Sequence, residues 1–471
     1  MLRRFLATLT RNPLSLLGAA LTTVSALLIL TLFALGLVGF VGSPYLGILA
    51  FLVLPAIFII GLILIPLGIW RQRRAERRAA AQGIEIAPAR LPIIDLNSPR
   101  TQRVSLLVGA LTAANGIIIS VATYKGVEVM DSTRFCGDTC HTVMQPEYTT
   151  YRRSPHARVK CVACHIGPGA SWFVKSKLSG TWQVIAVIFN LYPRPIPTPV
   201  HNLRPARETC EQCHWPEKFE GNRLLVRNGF ASDEGNTPQT TVLSMHVGGV
   251  QGHGARGIHW HVAPGVHIRY HGNTERTTIS TVELQETGHP TQVFKSGEEL
   301  KGTGSWRDMD CVDCHNRPTH IFETPERAVD DAMASGHISA SLPFAHREAL
   351  RIVQLPFASR DEAQREIRSQ MTTFYQRNYP QVIGTQAADV EHAATALASA
   401  YAGNVFPRMK VTWGTYPSDL GHAQANSGCF RCHDGAHTTP AGDSIPMDCN
   451  LCHSLLAQDE AHPAILKELN P

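Results

Sequence analysis

Three apolar runs without a charged residue occupy the first quarter of the chain: Leu14–Val41, Tyr45–Trp70 and Val104–Tyr124. Each meets the roughly 20 residues a helix needs to cross a bilayer. Only Gly42, Ser43 and Pro44 separate the first two, which predicts a helical hairpin. The first run is too long for the apolar region of a cleaved signal peptide, and a second span follows almost at once, so it reads as a retained anchor. Arg3, Arg4 and Arg11 precede the first run, and Arg71, Arg73, Arg74, Arg77 and Arg78 follow the second. Positive loops stay in the cytoplasm. Three spans that start inside therefore deliver residue 125 onward to the outside. The connector 71–103, with Pro88, Pro92 and Pro99 in its second half, carries no obvious site.

Past residue 125 the pattern becomes that of a water-soluble domain. From Tyr148 to Arg207 there is no Asp or Glu but there are nine Lys or Arg residues. Inside that stretch Ser171–Asn190 mixes aromatic and branched apolar residues with two lysines. It reads either as a helix lying in the membrane interface or as an ordinary buried helix. The proline-rich segment 192–199 ends it. Thr240–Val247, His259–Tyr270 and Thr277–Leu284 are rich in Val, Ile, Thr and Tyr with partial alternation, which predicts strands. Pro325–Ser335, Asp361–Arg377 and Ala387–Ala402 hold helix formers without internal Gly or Pro and predict helices. The expected architecture is a membrane-anchored protein: three N-terminal transmembrane helices, then a mostly α and irregular domain with a small β-rich insertion. Its expected divisions are 1–126 (anchor), 127–221, 222–305 (β-rich insertion) and 306–471.

The cysteines supply the chemistry. All twelve fall in six pairs, each followed at once by histidine. The first is C-x3-C-H (Cys136, Cys140, His141). The others are C-x2-C-H: Cys161, Cys164, His165; Cys210, Cys213, His214; Cys311, Cys314, His315; Cys429, Cys432, His433; and Cys449, Cys452, His453. This is the pattern of c-type haem attachment, with thioethers from the cysteines and an iron ligand from the histidine, so the expected fold is a multihaem one, haem-packed beyond the anchor, with three haem motifs in each of 127–221 and 306–471. Structural zinc also uses C-x-x-C pairs, but gives no reason for a histidine after every second cysteine. Six haems carry twelve propionates, which more than offset the formal charge of +5, so no nucleic-acid partner is read from the basic balance. Haem attachment takes place outside the bacterial cytoplasm, on the side to which the charge pattern sends residue 125 onward.

Each iron needs a second, far-side ligand, and sixteen of the 22 histidines lie outside the motifs. His156, His201, His320, His422 and His437 stand close to a motif in sequence and are candidates. The insertion adds His246, His253, His259, His261, His267 and His271. Among these His259 and His261 are preferred, because strand alternation would put both on one face. Met144 is the non-histidine candidate; a thioether raises a haem's potential relative to two histidines.

The run F-C-x3-C-H-x2-M-x-P-E-Y, followed by S-x-H and C-x2-C-H, resembles the NapC/NirT family of membrane-anchored multihaem cytochromes over residues 120–215. The resemblance implies a protein that takes electrons from membrane quinol and passes them to periplasmic cytochromes or reductases. It implies Met144 as a ligand of the first iron and His156 as a far ligand. It also implies a lysine beside the quinol, for which Lys175 and Lys177 are available. The chain departs from the family in its C-x3-C spacing, in Met144 lying three residues beyond His141, in lacking an acid between Tyr148 and Arg207, and in having three spans and six motifs. In these last features it looks closer to inner-membrane quinol-oxidising cytochromes of metal-respiring bacteria. Two other functions fit the same motifs: an electron-transfer subunit of a larger membrane respiratory complex, and a terminal reductase with one open iron for a substrate such as nitrite.

Overall fold

The computed structural model describes residues 12–37, 53–82, 97–139, 141–167, 170–200, 203–215, 218–248, 257–298, 300, 303–422 and 427–469, apart from some side chains within the helices. It divides into two units, Met1–Asp131 and Ser132–Pro471.

The first unit is helical: α1 (Pro13–Leu37), α2 (Leu54–Ala81) and α3 (Pro99–Met130). Pro13–Thr31 and Leu54–Ala79 are long and apolar enough to cross a membrane. Leu27, Ile59 and Ile63 leave more than half of their surface open, as suits side chains facing lipid. The α3 helix runs through the third apolar stretch. The predicted hairpin turn, Gly42-Ser43-Pro44, and residues 83–96 of the connector lie outside the described residues.

Small and polar residues join α1 to α2. An added Cβ at Gly18 or at Gly61 would lie 2.7 Å from the other's carbonyl oxygen. Asn12 Nδ2 donates to the Gly68 carbonyl (2.6 Å) and Ser15 Oγ to the Ile65 carbonyl (3.1 Å), on either side of Pro66. In lipid, apolar area gives helices no reason to associate, so close backbone approach and such hydrogen bonds hold them together. Gly61→Leu is expected to separate the pair and to lower the thermal midpoint of the detergent-purified protein, whereas Ile59→Leu on the open face leaves the midpoint unchanged.

The second unit opens with one π-helical turn (Phe135–Thr139), then α4 (His141–Arg153), α5 (Cys161–His165), α6 (Ala170–Ile188) and α7 (Ala206–Cys210). Two antiparallel sheets follow. Strands β1 (Arg223–Phe230) and β2 (Pro238–Met245) form a hairpin. Strands β3 (Val266–Gly272), β4 (Ile279–Glu286), β5 (Gln292–Lys295) and β6 (Ser305–Asp308) form a second sheet in the order β5-β4-β3-β6. Its core is Ile268, Tyr270, Ile279, Val282 and Phe294.

After α8 (Cys311–Cys314) come α9 (Pro325–Ala334), α10 (Ala345–Val353), α11 (Arg360–Asn378) and α12 (Pro380–Asn404), which pack around their own core. Thr324 caps α9 and Ser359 caps α11, each hydroxyl accepting a backbone N–H three residues on, which satisfies donors the helix leaves open. Ile338, Leu342, Ile352, Ile367, Met371 and Leu397 are completely buried there, each worth roughly 1.5–3 kcal/mol. The chain ends with β7 (His453–Glu460) and α13 (Ala464–Leu469). Strand β7 pairs with β2, Met245 opposite His453, so the insertion's first sheet is completed by a strand that begins at the last motif's histidine.

Candidate haem sites

In a helical turn, residues i, i+3 and i+4 share a face. C-x2-C-H therefore puts both sulfurs and the imidazole on one side whenever the motif coils. It does so here. Cys161–His165 and Cys311–Cys314 are single α-turns. Cys429 and Cys449 begin or lie within 3-10 turns. The amide N–H of His214, His315 and His433 each donates to the carbonyl of its motif's first cysteine at 2.8–3.0 Å. The C-x3-C motif meets its extra residue with the π turn Phe135–Thr139, the wider turn that accommodates one more residue. Cys140 lies outside the described residues, as does the side chain of His141.

Five motif histidines each face a second histidine. The ring centres are 6.3 Å apart for His165 and His320, 6.0 Å for His214 and His156, 6.3 Å for His315 and His259, 5.9 Å for His433 and His261, and 6.1 Å for His453 and His422. A metal–imidazole bond is about 2 Å, so two imidazoles on opposite sides of one metal have ring centres roughly 6 Å apart. Among the described residues no three His, Cys, Asp or Glu side chains gather as a tetrahedral metal would need. The donors come in twos, which fits an iron whose other four positions belong to a porphyrin.

Hydrogen bonds distinguish four of the facing histidines from His437 and His246. Nδ1 contacts a backbone carbonyl in His156 (Pro318, 3.1 Å), His259 (Val247, 2.7 Å), His261 (Ile258, 2.7 Å) and His320 (Glu147, 2.9 Å). Such a contact fixes the tautomer and leaves Nε2 for a metal. Burial pushes the pKa of His320 down to about 4, which keeps it neutral, the ligating form. His437, expected as a far ligand, is different. It is fully buried, with Nδ1 on Asp434 Oδ1 (2.9 Å) and Nε2 on the Ile279 carbonyl (3.1 Å). Both nitrogens are used inside the protein, which makes it a core histidine. His246 is likewise engaged at both nitrogens, by the Leu451 carbonyl and Ser454 Oγ. His201 and His253 lie outside the described residues.

His259 and His261 are not on a strand. They lie in the 3-10 helix Ile258–Val262, where Trp260 N–H donates to Gly257 and Ala263 N–H to Trp260. Three residues per turn send i and i+2 to different sides, so the two histidines face two different motifs. Met144 lies one turn after His141 on α4. Lys175, on α6, is exposed and stands 4.6 Å over the Trp172 ring; the side chain of Lys177 is not among those described.

Neighbouring motifs touch in sequence order. Cys136 of the first motif lies against Cys161 of the second. Cys164 has Cys210 and Cys213 among its neighbours, and Cys210 lies against Cys311. Cys314 has Cys429, and so has Cys452. Polar side chains fasten the joints. Asp310 accepts from Cys311 N–H at the start of α8 (2.6 Å) and from Ala206 N–H at the start of α7 (2.8 Å). Arg431, inside the fifth motif, donates to the carbonyls of Gly428, Arg276 and Asp313 and pairs with Asp419 at 3.5 Å. Asp313, inside the fourth motif, is 2% exposed. It accepts from Tyr270 Oη (2.6 Å), Arg307 Nε (3.0 Å) and Arg276 (3.4 Å). None of these fastenings was foreseen; the charged residues inside C-V-D-C-H and C-F-R-C-H were the available signal.

The P-E-Y run also acquires a physical role. Tyr148 covers Gly137 in the first motif, where a Cβ would collide with its ring. The carbonyl of Glu147 holds His320, and its carboxylate lies 3.6 Å from Arg317. Burial raises the Glu147 pKa against the pull of Arg317.

Helical cysteine–cysteine–histidine turns with paired imidazoles define a multihaem c-type cytochrome. Residues 98–195 match the N-terminal region of the NapC/NirT cytochrome c family. Over 459 residues the chain is 42% identical to the cytochrome c-type protein ImcH of Geobacter sulfurreducens, covering 95% of this chain and 88% of that protein. The chain belongs to the NapC/NirT cytochrome c family, as a membrane multihaem cytochrome of electron transfer. No solved structure matches it.

Proposed function

We propose that this cytochrome oxidises membrane quinol beside its first motif and delivers the electrons, through six c-type haems, to an acceptor on the periplasmic side of a bacterial inner membrane. The paired histidines carry this reading. Five motifs have a second imidazole at the spacing a two-histidine iron requires, which favours a conduit over a reductase with an open iron. Bound haem would supply the one-electron chemistry; the chain supplies position and electrostatics. His320, His156, His259, His261 and His422 would be the far ligands of the second to sixth motifs in order, and Met144 would serve the first. The motif-to-motif contacts run in sequence order, so the last motif, on β7, would be the exit.

Oxidation of a quinol to the quinone releases two electrons and two protons. The electrons leave through the chain of motifs and the protons to the periplasm. Lys175, with Lys177, would orient the quinol oxygen. The orientation follows the arginine clusters, and α3 would be the third span. The test is to add naphthoquinol and benzoquinol analogues to the purified, oxidised protein. One or both should reduce haem at a rate that falls at least severalfold in Lys175→Gln. Intact haem spectra with no reduction by either quinol would sink the proposal. The packed α1–α2 pair favours a second reading, since an anchor needs only one span: a subunit that wires a larger complex. Integral membrane partners that co-purify, together with quinol oxidation only in their presence, would establish it.

A further inference from the structure

We propose that α6 is a membrane-docking helix whose open apolar stripe rests in the interface of the phospholipid bilayer. Leu178, Trp182, Ile185 and Phe189 follow one another at spacings of four, three and four residues, which aligns them on one side of the helix. They are 69%, 60%, 39% and 67% exposed, and Ile188 and Leu191 beside them are 58% and 60% exposed. The helix meets protein toward its C-terminal end, where Ala186 is buried and Val187 packs on the cluster of Val143, Phe406, Met409, Val411 and Tyr416. Away from the stripe, Ser179 and Gln183 are polar and exposed. A contiguous apolar patch of this kind marks an interaction site.

The surrounding charge selects the occupant. The segment from Tyr148 to Arg207 has nine basic residues and no acidic one, which suits anionic phospholipid and opposes an acid-free or basic protein partner. Lys175, exposed in the first half of the helix, would reach headgroups, while Trp182 is the residue type that interfaces favour. With its C-terminal end packed on protein and Lys175, Ser179 and Gln183 along its length, α6 lies on a membrane and does not cross one. This inference rests on the membrane reading of α1 and α2, not on quinol as the donor.

The test uses the full chain in native membranes, with a photo-crosslinking amino acid placed at 182, 185 or 189, at Gln183 off the stripe, and at Leu27 of α1 as a lipid-facing reference. Haem spectra check that each variant is folded. Phospholipid adducts are expected at 182, 185 and 189, about tenfold above those at 183. Adducts to a second copy or to another protein at those positions overturn the proposal. So does a lack of lipid adducts there while position 27 yields them.

Discussion

His320→Leu is expected to turn one haem from low-spin to high-spin while every haem remains covalently attached. His320 lies 173 residues from the Glu147 carbonyl that orients it, and 6.3 Å, ring to ring, from His165 of the second motif. On the proposed ligation, loss of its imidazole removes one of two strong-field donors and leaves an apolar side chain that cannot replace it. Electron paramagnetic resonance of the oxidised protein should show a new high-spin signal of one haem equivalent. Axial ligands govern haem potentials over roughly 0.8 V, so the affected centre should move by something on the order of 0.1 V. The control is His437→Leu. That residue has both nitrogens bonded to Asp434 and Ile279, so the spectrum should stay low-spin. Stability should fall by about 1–3 kcal/mol, because a buried carbonyl loses its partner. Equal spectra for the two variants would remove the basis for assigning far ligands by paired rings.

Sequence and structure meet most closely where chemistry is local. A C-x2-C-H turn is its own scaffold, so the motifs were readable without a fold. The helices at Pro325, Arg360 and Pro380 were readable from propensity and caps, though α12 begins seven residues before the predicted Ala387, with its bend at Gln386 (φ −132°, ψ 30°). What the sequence hid was distant. Strand β7 carries the sixth motif's histidine into a sheet begun more than two hundred residues earlier, and alternation in H-S-L-L-A-Q-D-E is too weak to announce it. Proximity to a motif identified His156, His320 and His422 as worth attention, yet gave no partners: His156 faces His214, 58 residues on, and not the motif beside it. The same rule selected His437, because a CHDGAH run looks alike whether its last ring meets a metal or a carbonyl. The spacing of His259 and His261 suggested a strand, but Gly257 and the Pro264-Gly265 pair bound a segment too short for one. There the i to i+3 hydrogen bonds win, and the two rings diverge.

Asp313→Ala should be the most destabilising single change among the charged residues of the second unit. The carboxylate is almost wholly removed from water and faces Arg307 at 3.0 Å, Arg276 at 3.4 Å and the Tyr270 hydroxyl at 2.6 Å. Burial and the Asp313 charge raise the tyrosine's pKa, so it stays a neutral donor. Deleting the acid takes the nearest counter-charge from two partly buried arginines, which typically costs up to about 3–5 kcal/mol. It also removes the acceptor for Asp310 N–H (2.7 Å) that closes the capping box of α8, a loss of about 1 kcal/mol by itself. Asp313→Asn keeps an oxygen for the tyrosine and one arginine and should cost about half as much. By contrast, Arg368→Ala breaks a 2.8 Å ion pair with Glu391 on the open surface and should cost less than about 1 kcal/mol. Denaturant titration of the purified holoprotein distinguishes these. The expected order is Asp313→Ala, then Asp313→Asn, then Arg368→Ala. Because Arg431 of the fifth motif binds the backbone carbonyl of Asp313, the same loss should loosen the fourth and fifth motifs together, and faster amide exchange in both should accompany it. Exchange confined to the fourth motif would mean that Arg431 holds the joint without Asp313, through Asp419 and the Arg276 carbonyl alone.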